Sequence, residues 1–538
     1  MTFTERLGFA GRAAFGRRLP LQLVALAAIG PVLVLVPLVY SVVQALHVAG
    51  PEAVRLLFRP LVGQLLVNTI GIALATTLVC AVVGTLAAWF VERTEFPGRG
   101  LFASLCAVPL AIPAFITSYA WVSMSMAFEQ FDGALLVVSC SYFPLVYLPV
   151  AAALRGMDPA LEETARSLGV GRLGIWFRVV LPQLRPALFG GMLLVVLNTL
   201  VEFGAFTLLR FRTFTTEIFA EYRIGFNGPQ ASLLAVVLIL LCLLCLFAEA
   251  KFRGRARYAR VDRGTRRRLA RHALGKAAIL VFLGFAGLVI VTIGVPLGMI
   301  AYWLTQHNSA AMSPVAASVP LLLDAALASI KLGLCGAAFT LALALPLGFL
   351  ATRYDGRLVS LLERAAYLAQ GVPGIVVALA LIALTVQNLR PLYQSTALLV
   401  MAYGILFLPL AVVSVRTTLA QVQPRLEDAG RSLGLSRLAV AWRVVLPLAG
   451  PGIGAGAAIV FVSVVTELTA TLLLAPIGTQ TLATELWADT STMAFAAGGP
   501  YAALMAALSL LSTWLLAGRF GRVGEARQSS RASRAWRN

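Results

Sequence analysis

The sequence predicts an all-α polytopic membrane protein with about twelve transmembrane helices, arranged as two six-helix parallel repeats. Three observations predict this fold class. The 538-residue chain is 59% hydrophobic and only 12% charged, whereas about 25% of the residues of an average soluble domain are charged. The chain contains twelve apolar runs long enough to cross a bilayer. A polar segment in the first half also returns 265 residues later in the second half.

The apolar runs form two sets of six, one on either side of a basic linker. The first set occupies residues 21–46, 62–91, 101–127, 134–154, 187–209 and 230–249, and the second set occupies residues 277–303, 325–351, 364–387, 395–415, 452–475 and 500–517. We therefore expect a first half over 1–250, a linker over 251–276, a second half over 277–518 and a basic tail over 519–538. Because each half has an even number of spans, both halves insert in the same orientation. This arrangement predicts a pseudo-two-fold axis along the membrane normal.

Basic residues predict on which side of the membrane each loop lies. The linker holds eleven Lys or Arg against one acid, whereas the loops over 304–324 and 476–499 contain neither Lys nor Arg. Arg93 and Arg353, near the ends of the second and eighth runs, fall on the same side as the linker. The loop over 210–229 is the exception, with three arginines offset by two glutamates. The bias toward one side predicts that both termini are cytoplasmic.

The formal net charge of +20 has two interpretations. A basic linker in a membrane protein contacts anionic lipid headgroups and fixes orientation. Binding to nucleic acid is the other interpretation, but the linker has no interleaved aromatic residues apart from Tyr258, and such residues accompany many nucleic-acid sites. We therefore expect the lipid bilayer as a partner and no nucleic acid.

The repeated polar segments run over residues 161–186 and 426–451, and about half of their aligned positions are identical. Each one predicts a short helix, a break at Gly169 or Gly434, and a second short helix that stops before Pro182 or Pro447. Both copies follow the fourth span of their half, on the cytoplasmic side. An ordinary interfacial connector is the alternative, but two copies at one topological position imply two equivalent partners.

These segments resemble the cytoplasmic loop of permease subunits in binding-protein-dependent ABC importers. In that loop Glu-Ala-Ala is followed by Gly and then by Leu-Pro, and a short helix docks in a cleft of the ATPase. The first copy has Glu163-Thr164-Ala165 and the second has Asp428-Ala429-Gly430. The resemblance implies that loops at about 155–186 and 416–451 couple to the ATPase. The residues it implies are Glu162, Glu163, Ala165, Arg166, Gly169, Pro182, Glu427, Asp428, Arg431, Gly434 and Pro447.

Two departures from the family pattern concern the second copy. Asp428 replaces the glutamate, and Gly430 replaces an alanine, which weakens that helix by up to about 1 kcal/mol. We therefore expect the two docking loops to be unequal. Thr164 is the only departure in the first copy.

The chain carries no motif for catalysis or for a bound cofactor. No GxxxxGK[ST] phosphate loop is present, so we expect a transport subunit that is not an enzyme, with ATP and Mg bound by a partner ATPase. The six cysteines lie in apolar runs, and the three histidines are scattered. This pattern favours packing and predicts no metal site.

Two acids lie inside predicted spans. Glu202 and Glu467 are 265 residues apart, and each is expected in the middle of the fifth span of its half. A carboxylate at that depth is costly unless it is paired or faces water. A pair of them beside an axial pathway would suit a cationic substrate. The alternative is a protonated or hydrogen-bonded packing acid.

The substrate interpretation is based on resemblance alone. The stretches over 90–102, 201–222 and 466–487 resemble the ferric-iron importer permeases, and thiamine-type fused permeases share the double-length plan. A secondary transporter with twelve spans is the competing class, but it gives no reason for two glycine-broken cytoplasmic loops. The resemblance implies two copies of an ATPase subunit, an extracytoplasmic substrate-binding protein and the bacterial inner membrane.

Overall fold

The computed structural model describes residues 19–252, 271–306 and 319–512, and these residues are helical apart from one pair of two-residue strands. The N-terminal arginines, most of the linker and the basic tail lie outside the described residues. In the first half the helices are α1 (Leu21–Ala45), α2 (Gly50–Leu57), α3 (Pro60–Arg93), α4 (Arg99–Leu105), α5 (Ala114–Met124), α6 (Gln130–Tyr142), α7 (Pro144–Gly156), α8 (Pro159–Ser167), α9 (Arg172–Ile175), α10 (Leu181–Val201), α11 (Gly204–Leu208), α12 (Phe214–Arg223) and α13 (Gly228–Phe252).

The second half repeats most of this order. Its helices are α14 (Ala277–Val289), α15 (Val295–Leu304), α16 (Val319–Arg353), α17 (Arg357–Leu368), α18 (Gly374–Asn388), α19 (Thr396–Leu419), α20 (Pro424–Ser432), α21 (Arg437–Val440), α22 (Leu446–Val465), α23 (Thr469–Leu474), α24 (Leu482–Ser491) and α25 (Phe495–Ser512). Strand β1 (Thr94–Glu95) pairs in parallel with strand β2 (His272–Ala273), which follows the linker.

Ten helices within the described residues are long and apolar enough to cross a membrane, or twelve if each of two bent helix pairs counts as one span. The bent pairs are the predicted third and ninth spans. Arg99–Ala111 meets Ala114–Met124 at 92°, and Arg357–Gly371 meets Gly374–Asn388 at 106°. The prediction of an all-helical protein with two sets of membrane spans is therefore confirmed, and the span count is ten to twelve.

Proline causes both bends. A residue that precedes proline is driven out of the α region by the proline ring. Ile112 and Val372 accordingly have extended backbones, with ψ of 112° and 115°, and Pro113 and Pro373 begin the next helix. Each predicted span is thus divided into two helices that run in different directions.

The two halves share one continuous hydrophobic core, in which Ala27, Leu197, Leu343 and Leu399 all take part. The first helix of each half packs against the opposite half. Helix α1 lies against α16 and α18. In the other direction, the Phe285 ring of α14 stacks 5.0 Å from the ring of Phe96. The first spans therefore cross over between the halves.

Close approach of α1 to the second half depends on a glycine. A Cβ added at Gly30 would lie 3.0 Å from the Leu408 side chain. At the far end of the same helix, the Tyr40 hydroxyl donates a hydrogen bond of 2.5 Å to Gln387. Both contacts join α1 to the second half.

Candidate functional site

The first repeated segment folds as the sequence predicts at its start and at its glycine. The Asp158 carboxylate accepts a hydrogen bond of 3.0 Å from the Ala160 amide, which satisfies one free N–H at the start of α8. The helix ends where Gly169 adopts a left-handed backbone with φ of +78°. Gly434 ends α20 in the same way, with φ of +86°. Only glycine reaches this conformation without a steric cost, so the predicted breaks are confirmed.

The predicted stop before Pro182 and Pro447 is wrong. In both copies a π-helical turn, Trp176–Val180 or Ala441–Val445, leads directly into the long helix α10 or α22. Proline cannot donate a backbone hydrogen bond. In a π turn each hydrogen bond spans one residue more than in an α-helix, so the helix continues past the donor that proline lacks. The docking segment is thus rigidly continuous with the fifth span of its half.

A buried ion pair fixes each of the short helices α8 and α20 to a membrane span. The Arg93 guanidinium lies 2.9 Å from the Glu162 carboxylate, and both side chains are 5% exposed. Arg353 lies 2.7 Å from Glu427 in the second half, with exposures of 8% and 9%. Arg93 and Arg353 are the last residues of α3 and α16. Glu162 and Glu427 therefore point into the permease and away from the surface of the loop.

The two ion pairs differ in their other partners. Arg353 also donates to the backbone carbonyls of Leu419 and Val422, at 3.3 and 3.0 Å. Arg93 contacts the Met157 sulfur instead, and its Nε is buried without a hydrogen-bond partner among the described residues. The second loop is therefore held by more hydrogen bonds than the first.

The outward face of each docking helix is exposed and partly apolar. Leu161 and Leu168 are 51% and 77% exposed, whereas Ala165 is buried against the permease. These three residues recur at helical spacing, but the structure divides them between two faces. In the second loop Leu433 is 83% exposed and Trp442 is 64% exposed. Large exposed apolar side chains grouped in this way mark a surface that a partner covers.

The remaining predicted coupling residues lie at several places in the two segments. Glu163 and Arg166 are exposed in the first loop. In the second loop the Asp428 carboxylate forms an ion pair with Arg431, one helical turn away. Pro182 and Pro447 lie in the first turns of α10 and α22.

Glu202 and Glu467 do not lie in the middle of a helix, contrary to prediction. Helices α10 and α22 end at Val201 and Val465, and each acid stands at the break before a short helix. The Glu202 carboxylate accepts hydrogen bonds from the Ala205 amide at 2.9 Å and from the Tyr142 hydroxyl at 2.5 Å. Each acid therefore caps the N-terminus of its short helix, where a negative charge is favoured.

The second acid repeats this arrangement. Glu467 accepts a hydrogen bond of 3.0 Å from the Ala470 amide. A Cβ added at Gly374 would lie 2.9 Å from a Glu467 carboxylate oxygen, and a Cβ added at Gly204 would lie 3.1 Å from the Leu468 side chain. Neither acid forms an ion pair with any described residue. The two breaks that carry these half-buried acids therefore lie close together at the contact between the halves.

Sequence reasoning missed the role of Arg93 and Arg353, which it used only to assign orientation. One signal was available. The two arginines are 260 residues apart and their glutamate partners are 265 residues apart, so a charge pair that recurs with the repeat could have been recognised.

Comparison with known proteins identifies the repeats. A family of binding-protein-dependent transport system inner membrane components matches residues 81–258 and again residues 344–524. An Fe(3+)-transport system permease protein of Haemophilus influenzae is 37% identical over 481 residues, which is 89% of this chain and 94% of that protein. A sulfate transport system permease of Salmonella typhimurium is 29% identical, over 40% of this chain and 85% of that protein. A molybdenum transport system permease of Escherichia coli is 32% identical, over 23% of this chain and 60% of that protein.

Two family matches in one chain agree with the repeat seen in the sequence and with the recurring segments that each contain a left-handed glycine. A membrane component of such a system is a non-catalytic, multi-pass inner membrane protein that operates with an ATPase and a binding protein. The chain therefore belongs to the binding-protein-dependent transport system inner membrane components, as an ABC importer permease with two permease domains.

Proposed function

We propose that this permease carries ferric iron from an extracytoplasmic binding protein to the cytoplasm. The observation that carries the proposal is the 37% identity to an Fe(3+)-transport permease along 89% of the chain. The similarity to the sulfate and molybdenum permeases covers 40% and 23% of the chain. Two neighbouring breaks that each carry a carboxylate would also disfavour a dianion such as sulfate, and carboxylate oxygens suit a hard cation.

The pathway is proposed to pass between the halves beside Glu202 and Glu467. Both acids are half-buried, and neither is neutralised by a described cation. A carboxylate retained at membrane depth has a functional role by default. The Tyr142 hydroxyl, which donates to Glu202, and the helix start at Ala205 would hold this acid in a fixed position.

Coupling is proposed to occur through the two docking loops. Two copies of an ATPase subunit would cover the exposed faces that include Leu161 and Leu433. Movement of each docking helix would reach the membrane by two rigid connections. One is the buried ion pair at the end of α3 or α16, and the other is the continuous helix through the π turn. The loops, the linker and both termini would then be cytoplasmic, with a pseudo-two-fold axis along the membrane normal.

Uptake of labelled substrate tests the proposal. Cells that lack this gene and other iron importers would be compared with cells that carry it, with labelled ferric iron and labelled thiamine in parallel. We expect the gene to restore uptake of ferric iron only. If uptake of ferric iron is unchanged while thiamine uptake returns, the iron assignment is wrong and the alternative substrate is correct.

A further inference from the structure

A second pair of acids lies at the end of the spans remote from the docking loops. Glu485 and Asp489 are on α24, which connects the end of α22 and α23 to the last span, α25. Residues four apart on a helix share one face, so the two carboxylates are neighbours. Both side chains are half-buried. Neither forms an ion pair or a side-chain hydrogen bond within the described part of the chain.

The equivalent acids of the first half share one arginine partner. Glu217 and Glu221 occupy the corresponding positions of α12, and the Arg59 guanidinium lies 4.0 and 2.5 Å from their carboxylates. Arg59 precedes the proline that begins α3. In the second half the residue before the corresponding proline is Val319. The second half therefore retains both acids and lacks the arginine.

Two hydrogen bonds establish that these positions are equivalent in space. In the first half the Phe214 amide donates to the Thr69 hydroxyl at 3.1 Å. In the second half the Leu482 amide donates to the Ser329 hydroxyl at 2.9 Å. The start of α12 is thus fixed to α3 as the start of α24 is fixed to α16. The missing arginine is a real difference between otherwise matching environments.

Two tyrosines lie near the unpaired acids. Tyr501 of α25 is 5% exposed and stands one helical turn after Gly498, whose position faces Asp489. Its hydroxyl has no hydrogen-bond partner among the residues that the structure describes. The Tyr119 hydroxyl of α5 donates to the Phe495 carbonyl at 2.6 Å.

A glycine keeps this cluster compact. A Cβ added at Gly498 would lie 3.6 Å from the Asp489 Cβ and 3.5 Å from the Tyr119 ring. Burial and the neighbouring Glu485 charge raise the pKa of Asp489 to about 6. No described cation forms an ion pair with either acid, so neither effect is offset.

We propose that Glu485, Asp489 and the Tyr501 hydroxyl form an acceptance site for a hard trivalent cation at the outer mouth of the second half. Carboxylate and phenolate oxygens are hard ligands, and tyrosinate is a known iron ligand. Binding would displace the phenol proton and any proton on Asp489 into solvent. The identity of the cation as ferric iron rests on the proposed function.

The three proposed ligands leave coordination positions of the cation open, which suits a site that the cation only passes through. The described residues contain no group of three or more His, Cys, Asp or Glu side chains that could hold a metal. Water or the incoming chelator would complete the coordination. A cation on a transport pathway must bind strongly enough to enter and weakly enough to leave, and a three-oxygen site with open positions meets both conditions.

Binding of Tb³⁺ tests the site directly. The probe is Tb³⁺ presented as its nitrilotriacetate complex to the purified permease with its ATPase subunits, with emission excited through nearby tryptophan such as Trp487. Glu485→Gln combined with Asp489→Asn is expected to weaken binding by about tenfold or more, since loss of outer-shell groups alone commonly costs that much. The matched control is Glu217→Gln combined with Glu221→Gln, which is expected to leave Tb³⁺ binding unchanged.

A second variant introduces the missing charge. Val319→Arg places an arginine where Arg59 stands in the first half, so it is expected to pair with Glu485 and Asp489 and to abolish binding without removing an acid. Lowering the pH from about 7 to about 5 is expected to weaken wild-type binding by about tenfold, because Asp489 becomes protonated. The facing tyrosines are neutral at both pH values in the absence of metal.

Two outcomes would overturn the inference. Equal Tb³⁺ affinity in the wild type and the Glu485→Gln, Asp489→Asn variant would do so, as would equal losses in that variant and in the Glu217→Gln, Glu221→Gln control. The proposed function is judged separately by ferric iron uptake. If the wild-type gene restores no iron uptake while the variants still lose Tb³⁺ binding, the iron assignment is wrong and the cation site stands.

Discussion

Replacing Arg353 by methionine should detach the second docking helix from its membrane span while leaving the span intact. Methionine keeps much of the apolar stem and removes the guanidinium. Glu427 would then be left as a buried carboxylate without a counter-charge, since its side chain is only 9% exposed. The Leu419 and Val422 carbonyls would also lose their donor.

The expected cost follows from these contacts. Removing one partner of a buried ion pair costs about 3–5 kcal/mol, and each neutral carbonyl acceptor contributes about 1 kcal/mol. Because Arg353 is the last residue of its span and the pair keeps some exposure, we take the lower end of the first range, which with the two carbonyls gives about 5 kcal/mol in total. That corresponds to a shift of about a few thousandfold in the equilibrium between attached and detached loop.

Two assays on proteoliposomes would measure this. Hydrogen exchange of the α20 amides should accelerate, and transport per ATP hydrolysed should fall, because the ATPase would move a loop that no longer moves the span. Arg353→Met combined with Glu427→Met should recover much of both, since replacing a whole buried pair by apolar residues is often neutral.

The matched experiment is Arg93→Met in the first loop, which should cost less because Arg93 makes no equivalent carbonyl bonds. Two results would refute the reasoning. One is a single Arg353→Met variant with normal exchange and normal coupling. The other is a double variant no better than the single, which would mean that the charge pair is not what holds the loop.

Four glycine substitutions, one of them a control, give further tests. Gly169→Ala meets no neighbouring atom but strains a left-handed backbone, so it should destabilise the end of α8 by about 1–2 kcal/mol and speed exchange of the α8 amides. Gly430→Ala should stabilise α20 by up to about 1 kcal/mol. A contact of 3.2 Å between the new Cβ and the nearest side-chain carbon reduces this gain. Hydrogen exchange of the α20 amides should therefore be unchanged or slower than in the wild type. Gly374→Ala places a methyl group 2.9 Å from a Glu467 oxygen and should reduce iron uptake without dissociating the ATPase, whereas Gly450→Ala, which meets only open space, should have no effect on uptake.

The number and order of the membrane spans could be predicted because apolarity over about 20 residues is a local property. The position of Glu202 could not be predicted in the same way. The short helix Gly204–Leu208 that follows it is as apolar as the span before it. Hydropathy averaged over a window therefore stays high through the break, and on this basis the sequence places the acid in the middle of a helix.

In the docking loops too, features set by the local sequence could be predicted, and features set by contacts between distant residues could not. The left-handed glycines were predictable because glycine has a strong intrinsic preference for that conformation. The π turns and the buried pairs were not. Arg93 and Glu162 are far apart in sequence, and a formal charge on its own does not reveal whether it is paired or solvated. The absence of an arginine at position 319, where Val319 stands, is informative only because the structure places α12 and α24 in matching environments.

The crossing of the first spans has a consequence for how the protein is made. Helix α1 leaves the ribosome before any of the second-half helices that it packs against, so the surface that faces them has no partner from the second half until those helices are made. Because both halves belong to one polypeptide, every finished molecule receives one copy of each half. The two halves can therefore diverge, as they have at the arginine-paired acids of α12 and the unpaired acids of α24. There is no risk that two identical halves assemble together.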